Sequence, residues 1–238
     1  MNCPHCGTAL KPDMVRCAEC GWKVRLSQIL VQPENAGRQR DALPASAICY
    51  LFADRLLDAT AVAAVPNDAG QPLNNRPPVG KRPLAVGLCQ AAFIGLAVSG
   101  HTRLSVETPR AFQFGRNHSV IAKPTGIYEV AAGSLESRIL DTLYDRRQGM
   151  SVAEVLEKVM GFWYTDDPSD WVIRVVRQYL LASPYASGGM GITPMLMQRL
   201  QPQFESEKAV LEGFAVENPE VHSTLWSVIE RSLGGRKR

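Results

Sequence analysis

Residues 83–107 read PLAVGLCQAAFIGLAVSGHTRLSVE, and the change of rhythm inside this stretch sets the fold class. Pro83 is a permitted first helical residue, and Leu84–Val98 is so uniformly apolar that it reads as a buried helix without a solvated side. Ser99-Gly100 supplies the stop, because glycine takes the left-handed conformation on which helices often end. From Thr102 to Glu107 the pattern turns to partial alternation, as expected of a strand with one buried face.

Working outward, Ile48, Leu51, Phe52 and Leu56 recur at helical spacing, which predicts a helix over Ala45–Leu57. Between it and the central helix, Val65–Pro83 is rich in Pro, Asn and Gly and reads as a loop. Downstream, Ala111–Phe114 and His118–Ala122 flank Gly115-Arg116-Asn117, a pattern that suggests a β-hairpin. Helical spacing returns at Leu135, Ile139, Leu140 and Leu143, closed by Gly149. Ser151 and Glu154 form a capping-box pattern for a helix over Val152–Met160. Asp167-Pro168 opens the next helix with a polar cap and a first-turn proline, and Pro184 ends it. Trp171, Val172, Val175 and Tyr179 mark the inward face. Ser187–Gly191 is a glycine-rich turn, and Pro194–Phe214 and Glu220–Leu233 complete a helical C-terminal part. No internal repeat is visible. Helices, a small β element and more helices make an α+β, mostly helical fold.

The whole chain has 238 residues, 45% of them hydrophobic, which suits a globular protein and excludes intrinsic disorder. No apolar run reaches the roughly 18 residues of a membrane span, since Leu84–Ser99 is interrupted by Gly87, Gln90 and Gly95. The N-terminus carries no apolar leader, so the expectation is a soluble, cytoplasmic protein whose membrane contact is at most peripheral. Charge is uneven. Between Leu73 and Thr125 stand seven cations (Arg76, Lys81, Arg82, Arg103, Arg110, Arg116, Lys123) and one anion, Glu107, a local balance of +6 in a chain of net +3. A basic middle in an otherwise acidic chain suits an anionic partner, with a set of solvated loops as the alternative.

The N-terminus has its own chemistry. Cys3-Pro-His-Cys6 and Cys17-Ala-Glu-Cys20 are two C-x-x-C pairs ten residues apart, each followed by glycine. Each pair predicts a tight turn aiming two thiolates at one metal, and four thiolates close a tetrahedral site with no open position. One structural Zn²⁺ in a zinc ribbon follows, which lowers the net charge from +3 to +1. A ribbon of about 25 residues buries too little to fold without its metal. Disulfides are disfavoured, because nothing points to secretion. Cys49 and Cys89 lie in apolar surroundings and read as core. The domain reading is therefore a ribbon over 1–25, a linker over 26–43 and a helix-rich domain over 44–238.

Four stretches resemble the Golgi phosphoprotein 3 family of phosphoinositide-binding, membrane-peripheral proteins, in a bacterial-type form. They are the opening apolar helix (Ile48–Asp58) with its Pro/Asn-rich loop, and Leu88–Leu104 (LCQAAFIGLAVSGHTRL). Lys123-Pro124-Thr125-Gly126 and Ile173-Arg174-Val175-Val176-Arg177-Gln178-Tyr179-Leu180 complete the set, and together the match spans roughly residues 45–195. In that family two arginines three apart help hold an anionic headgroup, which the resemblance carries to Arg174 and Arg177. The residues agree, because i and i+3 share a helix face and forked guanidinium donors match phosphate oxygens. Surface pairing with Asp166, Asp167 and Asp170 is the other reading of the pair. The chain departs from the family in its shorter C-terminal part, in its extra zinc ribbon and at three places that bear on lipid contact. The loop before the central helix has no aromatic residue, the family's helical arginine falls at Cys89, and Ser187–Thr193 replaces an apolar hairpin. Lys81 and Arg82 lie just upstream and match that missing arginine in charge but not in position.

The function expected from these features is a non-enzymatic protein that binds anionic phospholipid headgroups, phosphoinositide-like, at a membrane surface. The ribbon would serve as an accessory piece for docking, including onto a protein partner. The alternative is a zinc-ribbon nucleic-acid-binding or transcriptional regulatory protein, with residues 152–182 forming a winged-helix-like element. Against it, the second helix offers only Arg174, Arg177 and Gln178, and the pI of about 8.6 is low for a dedicated DNA binder. An enzyme is the least supported class, because the sequence contains no phosphate-binding glycine loop, nucleophile elbow or HExxH. His101 and His118 read as hydrogen-bonding residues, Asp166 and Asp167 as helix-terminal anions, and Trp163, Tyr164 and Trp171 as core.

Overall fold

The computed structural model describes residues 43–56, 80–107, 118–125, 130–146, 148–161, 167–183 and 194–234. The described residues are mostly helical, with a small three-stranded antiparallel sheet. The elements are α1 (Ala45–Leu51), α2 (Ala53–Leu56), α3 (Lys81–Val98), β1 (Thr102–Glu107), β2 (Ser119–Pro124), α4 (Leu135–Tyr144), β3 (Met150–Ser151), α5 (Val152–Met160), α6 (Pro168–Ala182), α7 (Pro194–Glu217) and α8 (Pro219–Leu233).

α3 is the axis of the core. Leu88, Cys89, Ala92 and Phe93 have no exposed surface, and α1, α6, α7 and α8 pack around the helix. By length and composition it is the one described helix apolar enough to cross a membrane, but 67% of it is buried inside the protein. Small residues let its neighbours approach. A Cβ added at Gly95 would sit 2.8 Å from the Ala45 Cβ, closer than two carbons tolerate. The helix ends as the Ser99-Gly100 pair predicts. Gly100 takes φ 77°, its N–H donates to the Ala97 carbonyl at 3.1 Å, and the His101 N–H donates to the Leu96 carbonyl at 2.9 Å. These two bonds are the Schellman pattern that satisfies terminal carbonyls. The same turn holds the end of β2, because Thr125 donates through its N–H to the His101 carbonyl and through its hydroxyl to the Gly100 carbonyl.

β2 is the centre of the sheet, with β1 on one side and the short β3 on the other. Leu104 faces Ala122, Val106 faces Val120 and Met150 faces Ala122, so one sheet face is apolar and packs on the helices. On the other face Arg103 stands directly opposite Lys123, and both are exposed.

Capping signals in the sequence fall where helices start. Ser151 and Glu154 make the reciprocal capping box of α5. Asp167 caps α6 by accepting from the Ser169 N–H at 2.9 Å, with Pro168 as first helical residue. One expectation differs from the structure, one strand was not expected, and one expected pairing falls on residues that are not described. The helix expected over Ala45–Leu57 breaks at Phe52, whose ring stacks on Phe204 of α7 with centroids 4.4 Å apart. β3 is a two-residue strand that no pattern announced. β2 pairs with Thr102–Glu107, while the expected partner Ala111–Phe114 and its turn lie outside the described residues. The domain core also takes in Leu43, the last residue of the expected linker. It is buried, and Gln203 of α7 bonds both its carbonyl, at 2.7 Å, and its N–H, at 3.3 Å.

Candidate functional site

α6 is built to present one face. Trp171, Val172, Val175, Val176 and Leu180 are buried against α3 and α1, and this fixes the helix about its own axis. Successive residues turn by about 100°, so Asp170, Arg174 and Arg177 fall within roughly 60° of one another on the opposite side. Arg174 and Arg177 are both exposed there. Arg138 of α4 covers the buried side, its guanidinium 5.9 Å from the centre of the Trp171 ring.

Lys81 joins this face from the start of α3. Its Nζ lies 3.0 Å from Asp170 Oδ1 and 3.3 Å from Oδ2, an ion pair with both side chains partly exposed. Such a pair contributes about 0–1 kcal/mol, so its consequence is positional: it holds an ammonium one turn before Arg174. Three cations and one carboxylate leave the patch at +2. Arg82, one residue on, turns away. Its Nη2 donates to the Glu230 carbonyl at 2.9 Å, at the far end of α8. A helical step of about 100° separates these two neighbours in space. The basic middle is therefore divided: Lys81 stands at α6, Arg82 at α8, and Arg103 with Lys123 on the outer sheet face. Arg76, Arg110 and Arg116 lie outside the described residues, as do the ribbon cysteines Cys3, Cys6, Cys17 and Cys20.

Tyr50 of α1 lies within range of the Arg177 charge. Its hydroxyl is buried with no hydrogen-bond partner among the described residues. Burial raises its pKa, while the Arg177 charge pulls the other way, so that cation acts on the buried phenol.

The remaining candidates take structural places. Cys49 and Cys89 are buried, and burial pushes the Cys49 thiol up to about 12 and the Cys89 thiol higher still. Both are neutral core groups at ordinary pH. His101 is buried with its Nδ1 2.6 Å from the Ser99 hydroxyl, and His118 is exposed. Among the described residues no three His, Cys, Asp or Glu side chains gather as metal ligands.

One site the sequence analysis passed over is Glu136. It is buried in the first turn of α4, where it accepts from the Ser46 N–H and the Ser46 hydroxyl, both at 2.8 Å. Burial raises its pKa, and the bonds from Ser46 and Ser134 partly oppose the rise. The signal was present, since Glu136 occupies the first place of the stripe Glu136, Ile139, Leu140, Leu143 at i, i+3, i+4, i+7. It faces a cavity of about 360 Å³ shared with Glu207 and His101. Burial and the Glu136 charge raise the Glu207 carboxyl as well. Glu136 has both oxygens engaged by Ser46, so its role is to clamp α1 to α4.

Comparison of the chain with protein-family models, with curated proteins and with solved structures returned no match.

Proposed function

We propose that this chain is a non-enzymatic binding protein that recognises anionic phospholipid headgroups, phosphoinositide-like in charge, at a membrane surface. Arg174 and Arg177 form the contact pair, and Lys81 stands beside them. The observation that carries this reading is the exposure of two guanidinium groups on the solvent side of α6, whose other side is fixed in the core. Forked donors three residues apart suit phosphate oxygens, and a helix locked by Trp171 and Val175 presents them without ordering a loop on binding. Near an anionic bilayer each cation contributes about 1 kcal/mol, so non-specific attraction alone is modest and the headgroup contacts must add to it. Arg82 is bound to α8 and takes no part. One structural Zn²⁺ on Cys3, Cys6, Cys17 and Cys20 would fold the accessory module.

The test is co-sedimentation of the full chain with vesicles. Binding to vesicles containing a phosphatidylinositol phosphate, weakening with salt and absent with phosphatidylcholine alone, is the expected result. Sequence-selective binding to duplex DNA with no vesicle binding would replace this reading with the nucleic-acid one.

A further inference from the structure

The cleft on the other side of α3 holds a polar group without a partner among the described residues. Gln90 sits in the middle of this buried helix at 8% exposure, and its Nε2 is fully enclosed with no acceptor among the described residues. A buried amide donor without an acceptor is destabilising, and a bound acceptor would complete it. Gln90 lines a cleft of about 190 Å³ bounded by α2, α3, α7 and α8. That is somewhat more space than the roughly 150 Å³ known to admit a benzene ring.

The other walls define what fits. Leu56, Ile94 and Leu211 are apolar. Arg55 and Lys208 bring positive charge. Arg55 is fixed by a 2.9 Å bond to Gln201 Oε1 and by the Phe52 and Phe204 rings, 5.8 and 5.6 Å from its guanidinium carbon. Glu212 also lines the cleft, with one oxygen 3.7 Å from Lys208 Nζ, and the lining balance stays positive. Desolvation holds His222 below the ordinary imidazole range, so it adds a neutral ring rather than a charge.

We infer that this cleft is a binding site for a small monocarboxylate with a short apolar body, of benzoate or hexanoate size, whose oxygen accepts from Gln90 Nε2 once the amide, enclosed in the free protein, rotates into the cleft that Gln90 lines. The carboxylate meets the orphaned donor and the cations of Arg55 and Lys208, and the apolar body meets Leu56, Ile94 and Leu211. A phosphate ester has no use for those apolar walls, and a protonated amine would set its charge against Arg55 and Lys208 and leave the Gln90 donor unmet. The site shares no residue with the Arg174/Arg177 patch.

The experiment is titration of the full chain with benzoate and hexanoate, followed by calorimetry or amide chemical shifts, with benzyl alcohol and benzylamine as neutral and cationic controls. The acids are expected to bind, and the controls to bind at least tenfold more weakly. Gln90→Leu, which removes the donor at similar volume, should weaken benzoate by about tenfold or more while leaving the fold intact. Should that variant fail to fold, Lys208→Gln on the partly exposed face of α7 takes its place and should weaken benzoate several-fold. Arg174→Ala/Arg177→Ala should bind benzoate as the parent does, which separates failure of this site from failure of the headgroup reading. No benzoate or hexanoate binding at tens of millimolar, equal binding of benzylamine, or undiminished binding by the folded variant would each overturn the inference.

Discussion

α3 and α6 lie side by side and differ in what surrounds them. α3 has 18 residues and is enclosed on almost every side beyond its first turn, so the polar and titratable groups in its middle are silenced or orphaned: Cys89 is a neutral thiol and Gln90 Nε2 has no acceptor among the described residues. α6 has 15 residues and buries only one face, leaving Arg174 and Arg177 in water. The contrast separates stability from recognition. Changes to the large apolar side chains of α3 should lower stability without altering what α6 offers. Changes on the outer face of α6 should alter binding without moving stability.

The largest effect belongs to α3. Phe93 is fully buried, so Phe93→Ala should cost about 3–5 kcal/mol, read as a lowered midpoint in urea, with vesicle binding retained well below that midpoint. Gly95→Ala is a smaller overpacking change against Ala45 and should cost about 1–3 kcal/mol by the same measurement.

Titration of the buried half follows. A carboxyl with a raised folded-state pKa holds its proton more tightly folded than unfolded. The contribution of Glu136 is therefore present in full below its ordinary value of 4.5 and is lost as pH rises through its elevated pKa, with Glu207 acting in the same direction. Glu136→Gln should flatten the decline of melting temperature with rising pH, because the amide can still serve both Ser46 groups. An equally steep decline in the variant would remove Glu136 as the cause.

The exposed half responds through binding. Asp170→Asn removes the one anion among the cations of α6 and should strengthen binding to anionic vesicles by about 1 kcal/mol, roughly fivefold. Its effect on stability should be no more than the small value of an exposed pair. Smallest of all, Lys123→Glu places an acid opposite Arg103 and should stabilise the sheet by about 0.2–1 kcal/mol. Because the sheet packs on α8 rather than on α6, vesicle binding should hardly change; a large loss would join the two basic faces into one surface.

The sequence made the helices legible because their ends carry local chemistry: Ser99-Gly100, Ser151 with Glu154, and Asp167-Pro168 each act over a few residues. What escaped depends on partners far along the chain. The break at Phe52 follows from its stacking on Phe204, more than a hundred residues away. β3 is too short to show a period of two and exists through β2. Lys81 and Arg82 looked like one charge pair, and only the packing of α3 sends one to Asp170 and the other to Glu230. Arg174 and Arg177 were singled out by the family resemblance, and helical spacing added that the two share one face. Glu136 was legible in principle, as a carboxylate standing in an apolar stripe.

The most direct measurement compares the full chain with Arg174→Ala/Arg177→Ala in one preparation, by vesicle co-sedimentation and thermal unfolding. The double variant should lose binding to phosphatidylinositol phosphate vesicles, with unfolding free energy within about 0.5 kcal/mol of the parent, as for exposed surface substitutions. Undiminished vesicle binding by the well-folded double variant would contradict the headgroup reading.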